Sequence, residues 1–307
     1  MTFWNVFESV QARYGDRVAV EMQRAPALER WTYHDLHRAA LAHAARLAAA
    51  GVGQGDRCAL LADNDARWCA AYLGIFQLGA VAVPLDTNYT ARQVARILDD
   101  AGPVVLFVNE RLAPVAREAV GARPGIRIAP LGDRTDAVEH PPPSVDVAPA
   151  SPAVILYTSG TTADPKGVVL SHANLLAERD AAFAVVPVSE RDSVLGVLPL
   201  FHALAQLANL LLPFAVGARV VFLESLNSAE LVRALAERQI TIFACVPQFF
   251  YLIHQRISAE VGRGGLVVRA LFATLLAINL QLRRLHLNLG PLLFRKVHAL
   301  LGRQMRL

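Results

Sequence analysis

The centre of the chain reads Ala153-Val154-Ile155-Leu156-Tyr157-Thr158-Ser159-Gly160-Thr161-Thr162-Ala163-Asp164-Pro165-Lys166-Gly167-Val168-Val169-Leu170. The apolar run from Ala153 to Tyr157 predicts a buried strand, and Val168 to Leu170 predicts a second extended segment after the polar loop. In a loop rich in Gly, Ser and Thr, backbone N–H groups and hydroxyls can converge on one point, which suits phosphate oxygens. Lys166 adds a mobile positive charge at the end of the loop. The pattern therefore predicts a phosphate-binding loop.

The order of residues in this loop excludes the common Walker loop of nucleotide hydrolases. The Walker pattern G-x-x-x-x-G-K-[ST] requires glycine before lysine and a hydroxyl residue after it. Here Lys166 precedes Gly167, and Val168 follows.

The run from Tyr157 to Gly167, continuing through Ser171-His172, resembles the phosphate-loop signature of the AMP-forming adenylate superfamily. That superfamily contains acyl-CoA synthetases, luciferases and the adenylation domains of peptide synthetases. One position departs from the pattern, because Ala163 stands where the family usually has glycine. If that position needs a positive φ, alanine carries a steric cost and the loop geometry is altered. A hydroxyl-rich surface turn without a ligand is the competing interpretation, since a lone motif can occur by chance.

Composition indicates a chain with a large buried core. Of its 307 residues, 54% are hydrophobic and 18% are charged, and the charged share lies below the roughly 25% of an average domain. Cys58, Cys69 and Cys245 show no metal-ligand spacing, so we expect buried thiols in a reducing compartment. The amino terminus lacks the basic and apolar regions of a secretory signal. We find no stretch of about 20 uninterrupted apolar residues.

The positive charge is concentrated in one segment. Residues 263–307 hold eight basic residues and no acidic one, whereas the first 262 residues hold 22 basic and 26 acidic residues. The apolar run Leu271–Ile278 followed by Arg283-Arg284 predicts basic amphipathic helices, which can lie on anionic membranes. The segment is similar to a basic helical insertion of long-chain acyl-CoA synthetases.

Two interpretations of residues 263–307 stay open. One is peripheral contact between a cytoplasmic protein and the inner face of a membrane. The other is that these helices pack against protein parts outside this chain. No nucleic-acid-binding module surrounds the basic residues, so we expect no nucleic-acid partner. The sequence gives no indication of the oligomeric state.

Alternating helical and extended patterns run along most of the chain. Strands separated by helices predict an α/β fold with mainly parallel sheets flanked by helices. Thr90 is predicted as an N-cap and Gly51 as a C-terminal cap. The predicted strands are Trp31–Tyr33, Cys58–Ala62, Ala80–Val83 ending before Pro84, Val104–Val108, Ala153–Tyr157, Ser193–Leu198, Arg219–Leu223 and Thr241–Cys245. The predicted helices are His34–Ala50, Ala66–Leu78, Thr90–Asp100 and Leu226–Arg238.

The resemblance implies one domain rather than several. Residues 1–307 would form the incomplete, large N-terminal AMP-binding domain of an acyl-adenylate-forming enzyme, without the small C-terminal domain. Within it we distinguish a first α/β part (1–139), a Pro-rich crossing (140–152), the phosphate loop with a second α/β part (153–262), and a basic amphipathic helical tail (263–307). The later family segments that bind adenine, ribose and magnesium are not found, so we expect a truncated form that is weakly active or inactive.

The resemblance also implies a two-step reaction. A carboxylate attacks the α-phosphorus of ATP to give an acyl-adenylate and pyrophosphate, and a thiol such as coenzyme A then displaces AMP. Catalysis of the first step is mostly positioning and charge neutralisation by donors, lysine and Mg²⁺. Carried over to this chain, Lys166 neutralises the departing pyrophosphate and Thr158 is the hydroxyl that helps to hold Mg²⁺. The nucleotide-binding residues would be Thr158, Ser159, Gly160, Thr161, Thr162, Lys166 and Gly167.

Pro199-Leu200-Phe201-His202 follows a predicted strand and resembles a second core segment of the family. There, an aromatic residue or histidine lies near the acyl pocket and the nucleotide. We therefore include His202 with Lys166 as a catalytic-site residue, although not as a general base, because a carboxylate is already ionised at pH 7. The alternative is a histidine that only satisfies local backbone groups. Phe249, Phe250 and Tyr251 resemble a segment near the acyl tunnel, but their composition favours plain core.

The function implied is that of an AMP-forming fatty acyl-CoA synthetase using ATP, Mg²⁺ and coenzyme A. Its substrate would be a fatty acid or another carboxylate. The alternatives are a fatty acyl-AMP ligase or a peptide-synthetase-type adenylation domain. An alternative of another class is a non-catalytic fragment that binds nucleotide or acyl chains.

Overall fold

The structure of the chain is a computed structural model that describes residues 1–24, 27–132, 142–158, 166–225, 227–300, 302 and 304–307. The strands in these ranges are β1 Val18–Arg24, β2 Ala27–Thr32, β3 Arg57–Leu61, β4 Val81–Pro84, β5 Val105–Val108, β6 Arg127–Pro130, β7 Pro152–Thr158, β8 Lys166–Ser171, β9 Ser193–Leu195 and β10 Arg219–Leu223. The helices there are α1 Phe3–Tyr14, α2 Tyr33–Ala49, α3 Ala66–Gln77, α4 Ala91–Ala101, α5 Ala113–Val120, α6 His172–Phe183, α7 Ala203–Gln206, α8 Leu212–Val216, α9 Ser228–Glu237, α10 Pro247–Arg263, α11 Gly265–Arg284, α12 Gly290–Leu293 and α13 Arg295–Leu300.

The larger sheet has six strands in the order β6-β5-β3-β4-β7-β8. Its first four pairings are parallel, and β7 pairs with β8 in the antiparallel sense. The carboxyl ends of the parallel strands meet at one edge of the sheet, so the loops that follow β3, β4, β5 and β7 lie along that edge. The loop after β7 contains the predicted phosphate-binding residues.

The smaller sheet joins segments that are far apart in the sequence. Its order is β2-β1-β10-β9, with β1 parallel to β10 and β10 parallel to β9. Only the β1–β2 pairing is antiparallel. The first strands of the chain therefore share a sheet with strands of the second half, and the prediction of mainly parallel sheets is confirmed.

Three hydrophobic clusters define alternating layers of helices and sheets. One cluster fills the space between the two sheets with side chains of α1, α2 and α3. A second covers the other face of the larger sheet with α4 and α5, and a third covers the other face of the smaller sheet with α9 and α10. Trp68, Tyr72 and Phe76 recur at four-residue spacing on α3, with ring centroids 4.9 and 4.4 Å apart, and thus form one aromatic face.

The close approach of α2 and α3 depends on a glycine. A Cβ at Gly74 would lie 2.6 Å from the carbonyl oxygen of Ala40, which is far inside van der Waals contact. Only glycine lets the two helices pack at this distance.

The predicted helix ends are confirmed where a cap was identified. The Thr90 hydroxyl accepts from the Gln93 N–H, and the Gln93 side chain accepts from the Thr90 N–H at 2.9 Å, which is a capping box. Gly51 has a φ of +82° just after α2, as a glycine cap requires.

Four strand predictions need correction. The strand predicted over Ser193–Leu198 ends at Leu195, because the Leu198 carbonyl bonds side-chain amides rather than a neighbouring strand. Tyr33 is the first residue of α2 rather than the end of a strand, because Thr32 caps that helix. Pro84 is included in β4 at its last position, where a missing N–H costs least. The segment Thr241–Cys245 contributes only one parallel bridge, between Ile242 and Val194, because the chain turns into α10 at Pro247.

The helix α11 extends along the outside of the molecule. Among the described residues it is the one helix long and apolar enough to cross a membrane, with 20 residues and a mean hydropathy of 1.7, and only 6% of that window is buried. The helix agrees with the prediction of a basic amphipathic helix around Leu271–Ile278. Its length was not predicted, because Arg269, Asn279 and Gln281 interrupt its apolar residues. Length and composition alone do not distinguish a spanning helix from one that lies on a surface.

Candidate functional site

The predicted phosphate loop joins the two strands of a hairpin. Thr158 and Lys166 face each other as the last residue pair of the β7–β8 ladder, and Tyr157 faces Gly167 in the pair before it. The prediction that the loop connects two extended segments is confirmed. The predicted donors Ser159, Gly160, Thr161 and Thr162 lie outside the described residues.

Thr158 and Lys166 present a hydroxyl and an ammonium group at the loop end of the hairpin. Both residues are exposed. Within the described ranges, neither side chain takes part in a hydrogen bond or an ion pair. Directly opposed residues have Cβ atoms about 5 Å apart, so both groups can reach the same anionic ligand.

Gly167 has a packing reason to be glycine. A Cβ at this position would lie 2.9 Å from Cγ2 of Ile155 and 3.2 Å from Cζ of Tyr157. The Tyr157 ring therefore lies against the backbone of β8. Its hydroxyl donates to the carboxylate of Asp100 in α4. Burial, together with this hydrogen bond, raises the pKa of Tyr157, so the phenol stays protonated and anchors the hairpin.

The strand β8 leads into a helix whose first residue is a buried histidine. Ser171 caps α6 by accepting from the Asn174 N–H. His172 is fully buried, its ring meets Phe76 edge-on at 4.9 Å, and neither ring nitrogen has a partner in the described part of the chain. Burial lowers the pKa of His172 to about 4, so its imidazole is neutral near pH 7.

His202 lies on the loop between β9 and α7. The strand β9 belongs to the smaller sheet. Its N–H donates to the carbonyl of Pro199 at 3.1 Å, and its carbonyl accepts from the Gln206 N–H at 3.0 Å. The imidazole is exposed and contacts the Phe201 ring at 4.3 Å. Among the described residues it has no hydrogen-bond partner, so its side chain is not used for the local backbone bonds of the alternative interpretation. A substrate role for His202 stays a prediction.

The structure brings together only some of the predicted site residues. Thr158, Lys166 and Gly167 share the hairpin, whereas His202 follows a strand of the other sheet. Within the described residues, no hydrogen bond or ring contact joins His202 to Thr158 or Lys166. Residues 159–165, which connect the two strands, are outside the described ranges.

Sequence analysis did not identify the amide side chains that hold the His202 loop. Asn64, Gln206 and Asn209 all hydrogen-bond its backbone. Gln206 and Asn209 are buried. A signal was present in the sequence, because both amides interrupt an otherwise apolar run after His202, and buried amides require partners.

The aromatic residues at the start of α10 differ from expectation. Phe249 is partly buried against Phe243, with ring centroids 6.0 Å apart. Phe250 and Tyr251 are 63% and 69% exposed, so their prediction as core is wrong. Within the helix α10, their positions fall on the face turned away from the third hydrophobic cluster.

The described residues contain no group of three or more His, Cys, Asp or Glu side chains that could hold a metal ion. Among the predicted site residues that the structure describes, Thr158 is the one predicted to help hold a metal ion. It would suit a magnesium ion that takes most of its ligands from phosphates and water.

The family profile and the similar proteins of known sequence point to the same family. The sequence profile of the AMP-binding enzyme family matches residues 7–282. The chain is 31% identical over 233 residues to the long-chain-fatty-acid–CoA ligase FadD13 of Mycobacterium tuberculosis, which covers 74% of this chain and 46% of the relative. It is 33% identical over 225 residues to the fatty acid–[acyl-carrier-protein] ligase ScoC of Streptomyces coeruleorubidus. That alignment covers 70% of this chain and 43% of ScoC.

Solved structures agree with the fold. The N-terminal domain of FACL13 from Mycobacterium tuberculosis superposes with a TM-score of 0.73 at 28% identity, over 82% of this chain and 64% of that domain. A structure described as that of a long-chain-fatty-acid CoA ligase from Rhodopseudomonas palustris superposes with a TM-score of 0.75 at 24% identity, over 83% of this chain and 65% of that chain. At this identity the likeness supports the fold alone.

The predicted fold is confirmed by these superpositions, and the chain spans a little under half the length of the ligases it matches in sequence. The family profile covers both strands of the β7–β8 hairpin and the His202 loop. This chain belongs to the AMP-binding enzyme family.

Proposed function

We propose that this chain is the substrate-activating part of an AMP-forming acid–thiol ligase that converts a fatty acid to its acyl-adenylate and then to acyl-CoA. The observation that carries the proposal is the Thr158–Lys166 pair. It closes the hairpin on both sides of a loop with the family signature, and it leaves one hydroxyl and one ammonium group without protein partners among the described residues.

In the first step, an oxygen of the fatty acid carboxylate bonds to the α-phosphorus of ATP. The bond from that phosphorus to the oxygen of the β-phosphate breaks, and pyrophosphate leaves. The carboxylate needs no general base, because it is ionised near pH 7. Lys166 neutralises charge on the leaving pyrophosphate, and Ser159, Gly160, Thr161 and Thr162 supply hydrogen-bond donors to it. His202 would lie beside the bound carboxylate.

In the second step, the sulfur of coenzyme A bonds to the acyl carbon and its thiol proton passes to solvent. The bond from the acyl carbon to the phosphate oxygen breaks, and AMP leaves with the bonding electrons. The Mg²⁺ ion that accompanies ATP supplies charge neutralisation at the phosphates. Thr158 would give it one protein oxygen, which is compatible with the few protein ligands that magnesium needs.

The fatty acid substrate is supported by the relatives rather than by the site. FadD13 is described as a long-chain-fatty-acid–CoA ligase, and ScoC as a fatty acid–[acyl-carrier-protein] ligase. A carrier-protein thiol is therefore the second candidate acceptor. Another relative is a feruloyl-CoA synthase, so aromatic acids belong in any substrate panel.

Fatty-acid-dependent exchange between ATP and labelled pyrophosphate tests the first step. The purified chain would be compared with the Lys166→Ala variant. The control is Arg191→Ala, which also removes one positive charge but at an exposed residue outside the hairpin. We expect Lys166→Ala to lower exchange roughly 100-fold or more and Arg191→Ala to leave it unchanged. No exchange by the folded wild-type chain, with ATP still bound, would favour the non-catalytic nucleotide-binding alternative. Equal exchange by both variants would remove Lys166 from the mechanism.

The acceptor is tested separately. Acyl-adenylate made in the first step would be offered coenzyme A or an acyl-carrier protein, and thioester formation would be measured for each. Transfer to coenzyme A supports the acyl-CoA synthetase. Transfer to the carrier protein alone supports the alternative acceptor, and release of free acyl-adenylate supports a fatty acyl-AMP ligase.

We further propose that α11 lies on an anionic membrane at the cytoplasmic face. Leu266 and Val267 are more than four-fifths exposed, and Leu271 and Leu280 are more than half exposed. Such an apolar surface is unusual for a helix in contact with water only. No acidic residue follows Glu260, whereas Arg269, Arg283 and Arg284 lie on this helix. Apolar burial and attraction to anionic lipids would then act together.

Co-sedimentation of the whole chain with vesicles tests this contact. We expect binding to vesicles that contain phosphatidylglycerol and weaker binding to phosphatidylcholine alone. Leu266→Asp with Val267→Asp should abolish binding, and Val185→Asp, at another exposed apolar residue, should not. Equal binding by all variants would contradict the proposal. Self-association of the wild-type chain without vesicles, lost in the α11 variant, would instead assign the helix to a contact between two copies.

A further inference from the structure

The loop that carries His202 is held from the other sheet by one side-chain amide. Asn64 follows β3, a central strand of the larger sheet. Its Nδ2 donates to the carbonyl of Leu198 at 2.8 Å, and its Oδ1 accepts from the N–H of Leu200 at 2.9 Å. These two backbone groups flank Pro199, which has no N–H of its own. Asn64 therefore makes the pair of bonds that a neighbouring strand would make.

Two buried amides complete the arrangement, Gln206 at the end of α7 and Asn209 in the helical turn Leu207–Leu211 that follows it. Gln206 donates to the carbonyl of Leu200 at 2.9 Å and accepts from the Tyr72 hydroxyl at 2.9 Å. Asn209 donates to the carbonyl of Leu198 at 3.3 Å. Both backbone groups of Leu200 are thus bound by side chains, and the Leu200 side chain is buried. The loop has one preferred position although it belongs to no sheet.

Asn64 is itself held rigidly. The next residue, Asp65, caps α3 by accepting from the Arg67 N–H at 2.8 Å and is ion-paired with Arg24 of β1. Arg67 is paired with Glu29 of β2 at 2.9 Å. The turn between β3 and α3 is consequently fixed against the β1–β2 hairpin, so the Asn64 amide is oriented before any ligand binds.

We infer that Asn64 is a positioning residue, which fixes the Phe201–His202 pair at the edge where the strands of both sheets end. Removing its amide leaves the Leu200 N–H without a partner and releases the loop from the larger sheet. The expected effect on substrate binding rests on the proposed function, because His202 is assigned to the acyl site only there. The expected effect on the order of the loop is independent of the proposed function.

Hydrogen exchange measured by mass spectrometry tests the order of the loop. The variant is Asn64→Leu, which keeps similar volume and removes both hydrogen bonds. The matched control is Asn88→Leu, an exposed asparagine after β4 whose amide bonds only Asp86 in the described residues. We expect exchange in the peptide containing residues 198–202 to increase roughly tenfold or more in Asn64→Leu, as the loss of a well-formed hydrogen bond predicts. Exchange in β3 and β7 should stay unchanged. Unaltered exchange at residues 198–202 would overturn the inference.

Binding of a stable acyl-adenylate mimic, dodecanoylsulfamoyl adenosine, tests the link to His202. Titration calorimetry would compare wild type, Asn64→Leu, His202→Ala and the double variant. We expect Asn64→Leu to weaken binding roughly tenfold and to have no further effect when His202 is alanine. An equal loss in both backgrounds would mean that Asn64 supports folding in general, and would overturn the positioning role. Failure of the wild-type chain to bind the mimic would count against the proposed function, and the exchange experiment would still decide the role of Asn64.

Discussion

Arg306 donates two hydrogen bonds to the carboxylate of Asp192, from Nε at 2.9 Å and from Nη2 at 2.7 Å. The same carboxylate accepts from the Thr241 hydroxyl at 2.7 Å and from the Ser189 N–H at 2.8 Å. Asp192 is buried just before β9. One carboxylate therefore ties residues 304–307 and the segment around Thr241 to the smaller sheet.

The Asp192 network predicts a stability change at acid pH. Burial alone would raise the pKa of Asp192, but hydrogen bonds from Arg306 and Thr241 outweigh it and hold the pKa at about 2. Because the folded-state pKa is below the unfolded value near 3.9, the stabilisation is present above about pH 4 and is lost as pH falls toward 2. We expect Asp192→Asn to lower the free energy of unfolding by about 2 kcal/mol at pH 7, measured by urea denaturation.

Two further measurements constrain this interpretation. Arg306→Met removes the Asp192–Arg306 ion pair by changing the arginine, and it should lower the free energy of unfolding by a similar amount. The difference between wild type and Asp192→Asn should shrink below pH 4. A difference that stays constant down to pH 3 would show that packing of the side chain, rather than its charge, is responsible.

His172 predicts a second and separate pH dependence. Its folded-state pKa of about 4 lies below the ordinary histidine value, because the ring is buried without partners among the described residues. The unfolded chain takes up this proton near pH 6.5 and the folded chain does not, so stability falls as pH drops from about 6.5 to 4. Between about pH 6.5 and pH 4 this effect lowers the free energy of unfolding by about 3 kcal/mol. We expect this pH-dependent loss to be absent from His172→Phe, which keeps the contact with Phe76.

The measurement for His172 is the free energy of unfolding at pH 7 and pH 4 for wild type and variant. His254→Phe, at an exposed histidine of α10, controls for the loss of one imidazole. If His172→Phe and wild type lose the same stability between the two pH values, the buried ring is not the acid-sensitive group.

Most of the fold could be predicted from the sequence, because local patterns determined it. The predicted strand Arg219–Leu223 matches β10 residue for residue, and Thr90 and Gly51 mark helix ends as their caps require. The strand β1 was not predicted. Its pairing with β10 could not be, since parallel strands so far apart leave no local pattern. Thr241–Cys245 has a strand-like sequence, but only Ile242 finds a partner strand.

The candidate site was predictable only in part. The hydroxyl-rich loop and Lys166 were identified from composition and order, and the structure places Lys166 opposite Thr158. Asn64 was not identified, because its partners are two backbone groups more than 130 positions away. No side-chain pattern in one sequence encodes such a contact. The exposure of Phe250 was missed for the related reason that apolar residues are common both in cores and on exposed helix faces.

The contact between Tyr157 and Gly167 predicts that a side chain at residue 167 destabilises the hairpin. Gly167→Val would place methyl groups on Ile155 and on the Tyr157 ring, where even a Cβ lies too close. We expect a loss of about 1–3 kcal/mol in the free energy of unfolding. The nearby exposed Val168→Ala is the control and should change little.

A double variant gives a sharper test of the Gly167 contact. Truncation of the ring in Tyr157→Ala removes one of the two close neighbours of residue 167. The cost of Gly167→Val should then become smaller in the Tyr157→Ala background than in wild type. Equal costs in both backgrounds would show that backbone distortion, rather than the ring, opposes a side chain here.

Glu21 is the buried charge that joins β1 to both of its sheet neighbours. Its Oε1 accepts from Arg30 of β2 and from Arg219 of β10, each at 3.0 Å, and Glu21 is 1% exposed. Removing one partner of a buried pair leaves the other charge uncompensated and costs about 3–5 kcal/mol. We expect Glu21→Ala to be destabilised by an amount near the lower value, because Arg219 keeps its bonds to the Ser193 hydroxyl and the Arg238 carbonyl.

A double-mutant cycle of Glu21→Gln and Arg219→Met separates the energy of the ion pair from the packing of the two side chains. Arg219→Met keeps the aliphatic stem and removes the charge, so the double variant with Glu21→Gln should be more stable than the sum of the single losses predicts. Because β10 lies between β1 and β9, the same substitutions should loosen the His202 loop, and hydrogen exchange at residues 198–202 would report it. Additive losses with unchanged exchange would show that the Glu21–Arg219 pair is independent of the site.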